Sequence, residues 1–482
     1  MQINHCSRWF AVLTLMIFLG YANSADAQNR YDALRFSTFY PAQDAITIGF
    51  GGAMPASAFN AGGVISNPAT ASLIPNSGLS FSLSSRNING STTYQGQSFN
   101  DSDWQSTIGD LSLVYKFPVV TGDFTIGAGY TQLADFNRLL TYDVQNSRNT
   151  ITDFFLQNSY YLPIAFEAFA IDDFDGTTDL FSVWREPFDF VGVRQEVRRE
   201  EWGSVGEFNT FFATEFRENL FIGASLGIPT GTYNYRLSFL ETPPNVANDY
   251  DVDAIYLEDE ITARIRGANL RVGLLAKVNE RLQIGASYAT FLEYEISEDF
   301  DTFISTDFVT GDSFNDSQSG QNTYSISVPS RYNLGITFIP VSNITISTGA
   351  EFVDYSAMEM SGIGSANIDM MENRAIRNEF QSVVNLRAGI QAELSEQITM
   401  RGGFAYMPSP RVDFSQATQS FYSLGASLRL SEDVYFDLGA QLARWSDRNV
   451  MYEVQSGNNL IQEVAQEDVS RIHIMSGLRL LF

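Results

Sequence analysis

Apolar and polar side chains alternate every second residue in many segments of this chain, and this pattern constrains the fold more than any other feature. The last segment places Ile472, Ile474, Leu478, Leu480 and Phe482 on one face, and Arg471, His473, Met475, Gly477 and Arg479 on the other. Such alternation is typical of a β-strand between two different environments. About fourteen segments fit the pattern: 79–83, 111–117, 124–130, 208–216, 220–228, 270–278, 282–288, 332–338, 344–352, 384–392, 398–406, 422–430, 434–442 and 469–482.

The connections between these segments alternate in length. Short turns fall at 118–122, 217–219, 279–281, 340–343, 395–397 and 431–433, and long polar connections at 89–106, 133–202, 237–259, 298–321, 358–378, 407–417 and 448–466. Outer-membrane barrels have tight periplasmic turns and longer outer loops, whereas a β-sandwich predicts no such difference between its two ends. The sequence therefore predicts an all-β fold: a transmembrane antiparallel β-barrel of about fourteen strands, with both termini in the periplasm.

The N-terminus has the pattern of an export signal. Arg8 precedes an apolar run at 10–20, and Ala25 and Ala27 offer small residues for cleavage before Gln28. The run is shorter than the roughly 20 residues of a membrane-spanning helix. We interpret residues 1–27 as a signal peptide, with a buried N-terminal helix as the alternative. An exported chain without a spanning helix is either a soluble protein or an outer-membrane barrel, and the alternation favours the outer membrane.

Composition excludes several functions. The 482 residues include 56 acidic and 29 basic side chains, and the net charge of −27 opposes binding to nucleic acid. Without the signal peptide, the chain keeps one histidine, His473, and no cysteine. This excludes zinc fingers, thiol nucleophiles and disulfide scaffolds, and leaves His473 alone for serine-type catalysis. We expect no enzyme activity, no metal and no cofactor.

The charges are unevenly distributed. The connections 133–202, 237–259 and 298–321 are acidic, which fits either a solvated surface or a cation site. Basic residues recur on the polar faces of the predicted strands: Lys116, Arg271, Lys277, Arg331, Arg387, Arg401, Arg429 and Arg479. They could pair with lumen carboxylates such as Glu351, Glu393 and Asp437, or bind a ligand.

About fifty residues separate the predicted cleavage site from the first strand. Residues 28–77 are rich in small side chains and contain Gly49, Gly51, Gly52, Gly62 and Gly63. A barrel of this size has a lumen too wide to be filled by wall side chains alone, and large barrels are often plugged. We predict that residues 28–77 form a plug, called the hatch below, and that residues 78–482 form the barrel.

The hatch contains a recognisable motif. Gly51-Gly52-Ala53, Ala61-Gly62-Gly63 and above all Asn67-Pro68-Ala69 resemble the hatch signature of the FadL/TodX family of outer-membrane hydrophobic-compound transporters. The match to this family's pattern stops after Ala69, where the chain continues Thr70-Ala71-Ser72-Leu73. The family resemblance implies that long-chain fatty acids or aromatic hydrocarbons enter the barrel from outside and leave through a lateral gap beside a kinked third strand. The same short signature also resembles PorV-type subunits of the type IX secretion system.

Two further features bear on the cargo. The connection 150–190 is unusually aromatic, with Phe154, Phe155, Phe166 and Phe169 as candidate ligand contacts. It forms an apolar site that captures the ligand, a cap packed on itself, or both. In the predicted third strand, Gly127 and Gly129 are candidates for a kink, although glycines on the inward faces also suit barrel curvature or hatch packing.

Two classes of function remain: a passive transporter of hydrophobic small molecules, and a barrel that binds secreted proteins. A polar-solute porin is disfavoured, because a plug would block it. If the cargo is a fatty acid, an arginine should bind its carboxylate, from the set Arg271, Arg331, Arg387, Arg401, Arg429 and Arg479, with Arg30 and Arg35 in the hatch. Expected partners are outer-membrane lipid, a hydrophobic ligand and the barrel-assembly machinery, which reads a C-terminal aromatic such as Phe482. We expect a monomer.

Overall fold

The wall of the molecule is a closed sheet of fourteen antiparallel strands. The computed structural model describes residues 28–119, 122–173, 180–185, 190–244, 250–456 and 459–482, so the predicted signal peptide lies outside the described residues. The strands are β1 (Gly78–Tyr94), β2 (Gln97–Lys116), β3 (Phe124–Asp135 and Arg138–Asn146), β4 (Val193–Arg217), β5 (Leu220–Thr242), β6 (Val252–Asn279), β7 (Leu282–Ala289 and Leu292–Phe308), β8 (Ser313–Val328 and Arg331–Val341), β9 (Ile344–Asp354), β10 (Ser382–Glu393), β11 (Ile398–Met407), β12 (Gln419–Arg429), β13 (Val434–Ser456) and β14 (Asn459–Leu481).

Each strand pairs with the next along the chain, and β14 pairs with β1 to close the barrel. That closing ladder runs from Gly78 opposite Leu481 to Thr93 opposite Gln466. Closure leaves no open edge at membrane depth, where unpaired backbone groups would be costly. The predicted fold class is confirmed.

The alternation sorts side chains between lipid and lumen. On β1, Leu79, Phe81 and Leu83 are exposed on the outer face, whereas Ser82 and Ser84 are buried inside. The same pattern continues around the barrel near the short turns; Leu424 on β12, for example, is 69% exposed. These outward apolar side chains form the belt that faces the hydrocarbon of the outer membrane.

The prediction of long outer loops is wrong for much of their length. Strands β1 and β2 meet in a tight turn at Gln95 and Gly96, so most of 89–106 is strand. The connections 237–259, 298–321 and 448–466 are likewise largely strand. Beyond the lipid belt the outer face meets water, so the apolar alternation ends while the ladder of backbone hydrogen bonds continues. The loss of alternation marked the membrane edge, not the end of the strands.

Five short α-helices accompany the barrel in the described residues. They are α1 (Arg30–Ser37), α2 (Ala45–Gly49), α3 (Ile151–Phe155), α4 (Tyr161–Glu167) and α5 (Ala366–Glu379), with 3₁₀ turns at Ala61–Ile65, Pro68–Leu73, Tyr355–Ala357 and Ser415–Ala417. Two-residue strands Ile171–Asp172 and Phe181–Ser182 pair beside α4, and Glu359–Ser361 pairs with β8. In the described part of the chain, no helix is long and apolar enough to cross a membrane.

Residues 28–77 pack against the inner face of the wall. A Cβ atom added to any of eight inward glycines would come within 3 Å of hatch atoms or overlap them: Gly223, Gly273, Gly285, Gly335, Gly389, Gly403, Gly425 and Gly439. These glycines lie one each on eight strands, β5 to β8 and β10 to β13, so the hatch touches the wall on many sides. Close approach to the hatch therefore accounts for these glycines. Within the hatch, Gly51 and Gly52 turn the chain at φ values of 67° and 71°.

Helix α1 begins the hatch, and two reciprocal hydrogen bonds fix its first turn. Asn29 Oδ1 accepts a hydrogen bond from Tyr31 N at 2.9 Å, and Asp32 Oδ2 accepts one from Asn29 N at 2.9 Å, which forms a capping box. Arg30 Nε donates to Glu379 Oε2 of α5 at 2.8 Å. The first helix of the hatch is thus tied to the outer helix α5.

Candidate functional site

A cavity of about 540 Å³ lies between the hatch and the outer helices. Its floor is α1 of the hatch and its roof is formed by α3 and α4. Its walls come mainly from strands β3 to β7 and β11 to β14, with Ile88 of β1, Tyr324 of β8 and Asn385 of β10. A molecule that entered through the outer mouth would therefore reach this space before it reached the hatch.

The roof is part of an apolar cluster. Phe155, Ile164 and Trp184 are fully or almost fully buried and pack with Phe239 and Ile255 of the wall. Phe154, Tyr160 and Tyr161 contribute to the lining of the cavity below this cluster. The aromatic connection therefore packs on the wall as a cap and also presents aromatic surface to the cavity, so the two interpretations of this segment are compatible.

Glu241 on β5 attaches the cap to the wall. Its carboxylate accepts hydrogen bonds from the Ile151 backbone N–H at 2.8 Å, from Gln195 Nε2 at 2.8 Å and from the hydroxyl of Thr150, the N-cap residue of α3. The side chain is fully buried, and burial raises the pKa of Glu241 to about 7. The charge of this attachment point thus changes near neutral pH.

The floor of the cavity carries charged side chains that satisfy one another. Arg35 of α1 pairs with Asp32 and approaches Glu201 of β4 at 3.5 Å, while Arg199 Nε donates to Glu201 Oε1 at 2.9 Å. The Arg35 guanidinium also lies 4.6 Å from the centre of the Tyr233 ring. The cavity is therefore apolar near its roof and polar near its floor, which suits a molecule with one apolar and one polar end.

The side of the cavity reaches a break in β3. Strands β2 and β3 pair only from Asp110 opposite Thr131 to Lys116 opposite Thr125. Beyond that ladder, β3 shifts register against β4 between Gln132 and Ala134 and is then interrupted at residues 136–137. Residues 134–138 all line the cavity. The wall therefore has a seam between β2 and β3 that lies beside the cavity.

Side chains bridge this seam where the ladder is missing. Thr107 Oγ1 donates to Gln132 Oε1 at 3.0 Å, and farther out the Thr141 backbone N–H donates to Asp101 Oδ2 at 2.8 Å. Gly127 and Gly129 lie within the regular ladder on the periplasmic side of the irregularity. An added Cβ on Gly127 would overlap the Phe211 ring, so close packing accounts for this glycine.

The predicted arginines occupy three kinds of position. Arg271 is buried and paired with Glu207, while Arg331 and Arg387 share Glu351.

Two other arginines, Arg401 and Arg479, lie deeper against the hatch. Arg401 donates to Gln391 and Ser427, and Arg479 pairs with Asp437. Arg429 lies at the short turn after β12 and donates to the backbone carbonyls of Ser431 and Glu432. Arg30 pairs with α5, and Arg35 alone of this set lines the cavity.

The expected carboxylate partners are observed in part. Glu351 and Asp437 are buried and pair with arginines, but Glu393 is exposed near the turn after β10. The four predicted phenylalanines also separate: Phe154 lines the cavity, Phe155 is buried in the cap, and Phe166 and Phe169 are 38% and 40% exposed. Phe169 packs 4.6 Å from Phe314 of β8, measured between ring centres.

The Asn67-Pro68-Ala69 motif joins the hatch to the wall. Asn67 Oδ1 accepts a hydrogen bond from Ala69 N at 3.1 Å and so caps the turn that begins at Pro68. Its Nδ2 donates to Pro55 O within the hatch at 2.7 Å and to Leu274 O of β6 at 3.0 Å. Ala69 is fully buried, where the hatch backbone meets Gly223 and Gly273. The motif thus positions the hatch against two neighbouring strands.

Sequence analysis missed several residues that line the cavity, among them Arg138, Arg199, Tyr233, Tyr235, Arg411 and Trp445. Two of them, Arg138 and Arg199, fall inside the segment 133–202 that was interpreted as a loop. An alternation was nevertheless present there, because Gln195, Val197 and Glu201 are buried while Glu196 and Arg198 are exposed. Its inward set is polar, so a search for apolar faces did not find it.

The described residues contain no group of histidine, cysteine and carboxylate side chains that could hold a metal ion. His473 lies on the inner face of β14, where its Nε2 is 2.9 Å from Ser84 Oγ of β1.

Comparisons with known proteins agree with the fold. Residues 257–476 match the family model described as outer membrane protein transport protein (OMPP1/FadL/TodX). The Pseudomonas putida toluene transporter TodX is similar with a TM-score of 0.53 and 14% identity, over 92% of this chain and 99% of that one. A Pseudomonas aeruginosa FadL homologue is similar with a TM-score of 0.53 and 11% identity, over 92% and 99%. The Ralstonia pickettii toluene transporter TbuX is similar with a TM-score of 0.50 and 14% identity, over 92% of this chain and 99% of that one. No curated protein matches the sequence.

At such low identities, the structural similarities establish the fold alone. Together with the lipid-facing belt, they define an outer-membrane β-barrel whose inner face packs against its own N-terminal segment. Within that class, residues 257–476 are similar to the family of outer membrane transport proteins that includes FadL and TodX. The family resemblance predicted from the hatch motif is thereby confirmed.

Proposed function

We propose that this protein is a passive transporter that takes hydrophobic small molecules from the outer mouth of the barrel and releases them sideways into the membrane. The cavity between the cap and the hatch carries this proposal, because it combines an aromatic roof with a side that reaches the β2–β3 seam. Burial of apolar ligand surface in such a space supplies the binding energy. No energy source is required for movement down a concentration gradient.

The outer half of the route begins at the aromatic cap. Phe166 and Phe169 are exposed near the cap surface, and Phe154 and Tyr161 line the cavity beneath it. A molecule captured on the exposed rings could move to the inner rings without crossing a wholly polar surface. Two of the proteins that share this fold are named as toluene transporters, which supports a hydrophobic ligand here.

The inner half of the route ends at the seam. The hatch fills the lumen beneath the cavity, so a ligand that descends meets α1 and the Arg35–Glu201 floor. Beside that floor, the residues around the break in β3 line the cavity and have no ladder to β2. A lateral exit at this height avoids both the hatch and the aqueous periplasm, which suits an apolar cargo.

A reversible cross-link tests the lateral exit. We would replace Thr107 and Gln132, whose side chains touch at 3.0 Å across the seam, with cysteine and join them with a short bifunctional thiol reagent. The matched control joins Ser446→Cys to Asp468→Cys, which face each other on the fully paired strands β13 and β14. Uptake of radiolabelled palmitate and toluene by cells that express each variant is the measurement.

Cross-linking at the seam should abolish uptake, while cross-linking on β13 and β14 should leave it unchanged. Equal uptake by both cross-linked proteins would contradict the lateral route. If cells with the unmodified protein take up neither palmitate nor toluene faster than cells without it, the transport function itself is wrong.

A protein-binding role is the second candidate, and the outer half of β8 favours it. From Ser313 to Tyr324 this strand pairs with β7 on one side, and no other strand in the described residues pairs with its second edge. An open edge can accept an added strand from another protein. The test is whether the wild type captures a specific secreted protein and whether Gln318→Pro, which blocks the edge, abolishes that capture. Both results together would support this role in place of transport.

A further inference from the structure

Arg471 of β14 is a buried cation without a carboxylate partner among the described residues. Its side chain is 0% exposed, and none of its three guanidinium nitrogens reaches a hydrogen-bond acceptor in the described part of the chain. It also forms no ion pair among those residues. The guanidinium lies 3.7 Å from the centre of the Tyr40 ring and 5.7 Å from that of Phe421. Cation–π contacts offset only part of the cost of removing a charge from water.

The surroundings do not supply the missing negative charge. The nearby Arg86 of β1 is 5% exposed and uses the one adjacent carboxylate, because its Nη1 lies 2.6 Å from Asp135 Oδ2. Arg86 Nη2 donates to Gln132 Oε1 at 2.9 Å. Two buried guanidinium groups therefore face one carboxylate, and the cluster carries one uncompensated positive charge.

This cluster adjoins the cavity and the seam. Tyr40, which covers Arg471, lines the cavity, as do Asp135 and Ile88, the cross-strand neighbour of Arg471 on β1. Gln132, which binds Arg86, also bridges the seam to Thr107. Tyr40 is only partly buried, and its hydroxyl donates a long hydrogen bond, 3.4 Å to Asp135 O. Rotation of this one ring would open Arg471 to the cavity.

We infer that Arg471, together with Arg86, forms a binding site for the carboxylate of an anionic amphiphile, with Tyr40 as its lid. The carboxylate would take the position of the Tyr40 ring and accept hydrogen bonds from the free nitrogens of Arg471. The alkyl chain would lie in the cavity beside the seam. This inference rests on the proposed transport function and narrows its cargo to molecules with an anionic head group.

Two probes with the same alkyl chain test the site. Palmitate and 1-hexadecanol differ only in the head group, and their binding is measured with the full mature protein in an uncharged detergent. Arg471→Met should weaken palmitate binding by on the order of tenfold to a hundredfold, the range for lost charge-assisted hydrogen bonds. The affinity for 1-hexadecanol should not change. Arg217→Met, at the exposed turn after β4, is the matched control and should leave both affinities unchanged.

A second variant keeps the test independent of any effect on folding. Tyr40→Leu removes the ring that competes for Arg471 and should tighten palmitate binding, again without effect on 1-hexadecanol. Unchanged palmitate binding in both Arg471→Met and Tyr40→Leu would overturn the site. Displacement of palmitate by an equal concentration of inorganic phosphate would also overturn it, because the site would then bind a free anion and not an amphiphile.

The two proposals fail differently. Suppose the wild type binds 1-hexadecanol and toluene, and Arg471→Met does not change the affinity for palmitate. The anion site is then wrong, and transport of hydrophobic molecules stands. If the wild type binds none of the three, the proposed function is wrong as well.

Discussion

Asn67 connects the hatch to the barrel wall through one side-chain amide. Its Nδ2 donates both to Pro55 O within the hatch and to Leu274 O of β6, and the whole side chain is buried. Asn67→Ala would leave these carbonyls without that donor, at a cost of about 1–3 kcal/mol to hatch docking. We expect more frequent open-channel events from this variant in planar bilayers.

Asn60 provides the control for that prediction. Its side chain also caps a turn, by accepting a hydrogen bond from Gly62 N at 3.3 Å, but this contact lies within the hatch. Asn60→Ala should therefore leave the channel closed. If both variants open the channel equally often, the bond from Asn67 to the wall does not hold the hatch.

Glu241 makes the attachment of the cap depend on pH. Its pKa is about 7 in the folded protein against 4.5 for an ordinary glutamate, so the folded state favours the protonated form. Below pH 4.5 the contribution of Glu241 to stability is fully present, and it is lost as pH rises to about 7. The loss amounts to at most about 3 kcal/mol. Hydrogen exchange of α3, corrected for the intrinsic pH dependence of amide exchange, should accelerate between pH 5 and pH 8.

Glu241→Gln removes the titrating group and should abolish this acceleration. Glu258→Gln, on the neighbouring strand β6 and without contact to α3, should keep it. An acceleration of equal size in Glu241→Gln would show that another group controls the cap.

Sequence reasoning succeeded at Asn67 and failed at Arg471 for a physical reason. The turn before Pro68 depends on atoms only a few residues apart, so the sequence itself predicts the Asn67 cap. The proposed role of Arg471 depends on Tyr40, which is far away in sequence, and on the lack of an ion-pair partner for Arg471 among the described residues. Which charged side chains pair in the lumen depends on how the closed barrel brings its strands together. The spacing of residues along one strand does not give this information.

The hatch is the element whose removal has the largest expected effect. It packs against the inner face of the wall at eight glycines that leave no room for a side chain. We predict that deletion of residues 28–77 converts a closed barrel into an open pore, because the wall alone cannot fill its lumen. Single-channel conductance in planar bilayers is the measurement, and the mature protein with its hatch is the reference. Equal conductance with and without the hatch would contradict its role as a plug.

The membrane-spanning parts of the strands were predictable, and the outer parts were not. Lipid on one side and the lumen on the other force an alternation that is visible in segments such as 270–278 of β6. The same strand continues outward to Val252, where water replaces lipid and the apolar pattern ends. The break in β3 was not predicted either: it lies at residues 136–137, whereas Gly127 and Gly129 stay within the regular ladder to β2.

At the scale of the whole molecule, closure depends on the pairing of the first and last strands. Phe482 ends the chain beside β14, and its backbone N–H donates to Ser77 O at 3.1 Å, just before β1. We predict that the detergent-extracted protein migrates faster on gels before heating than after, as a closed barrel resists unfolding. Deletion of Phe482 should reduce the heat-modifiable fraction, if the assembly machinery reads this residue. Circular dichroism dominated by helix would contradict the fold.

The length of the strands has a consequence for where the molecule meets its surroundings. Strand β6 has 28 residues, whereas about 9–11 residues suffice to cross the hydrocarbon of the membrane. More than half of it therefore stands outside the bilayer, and β4, β5, β13 and β14 are nearly as long. Under the proposed function, this height would place the entrance of the barrel well above the membrane surface. A solute would then be taken up in the external medium, beyond any polar layer on the cell surface, and released at the level of the lipid.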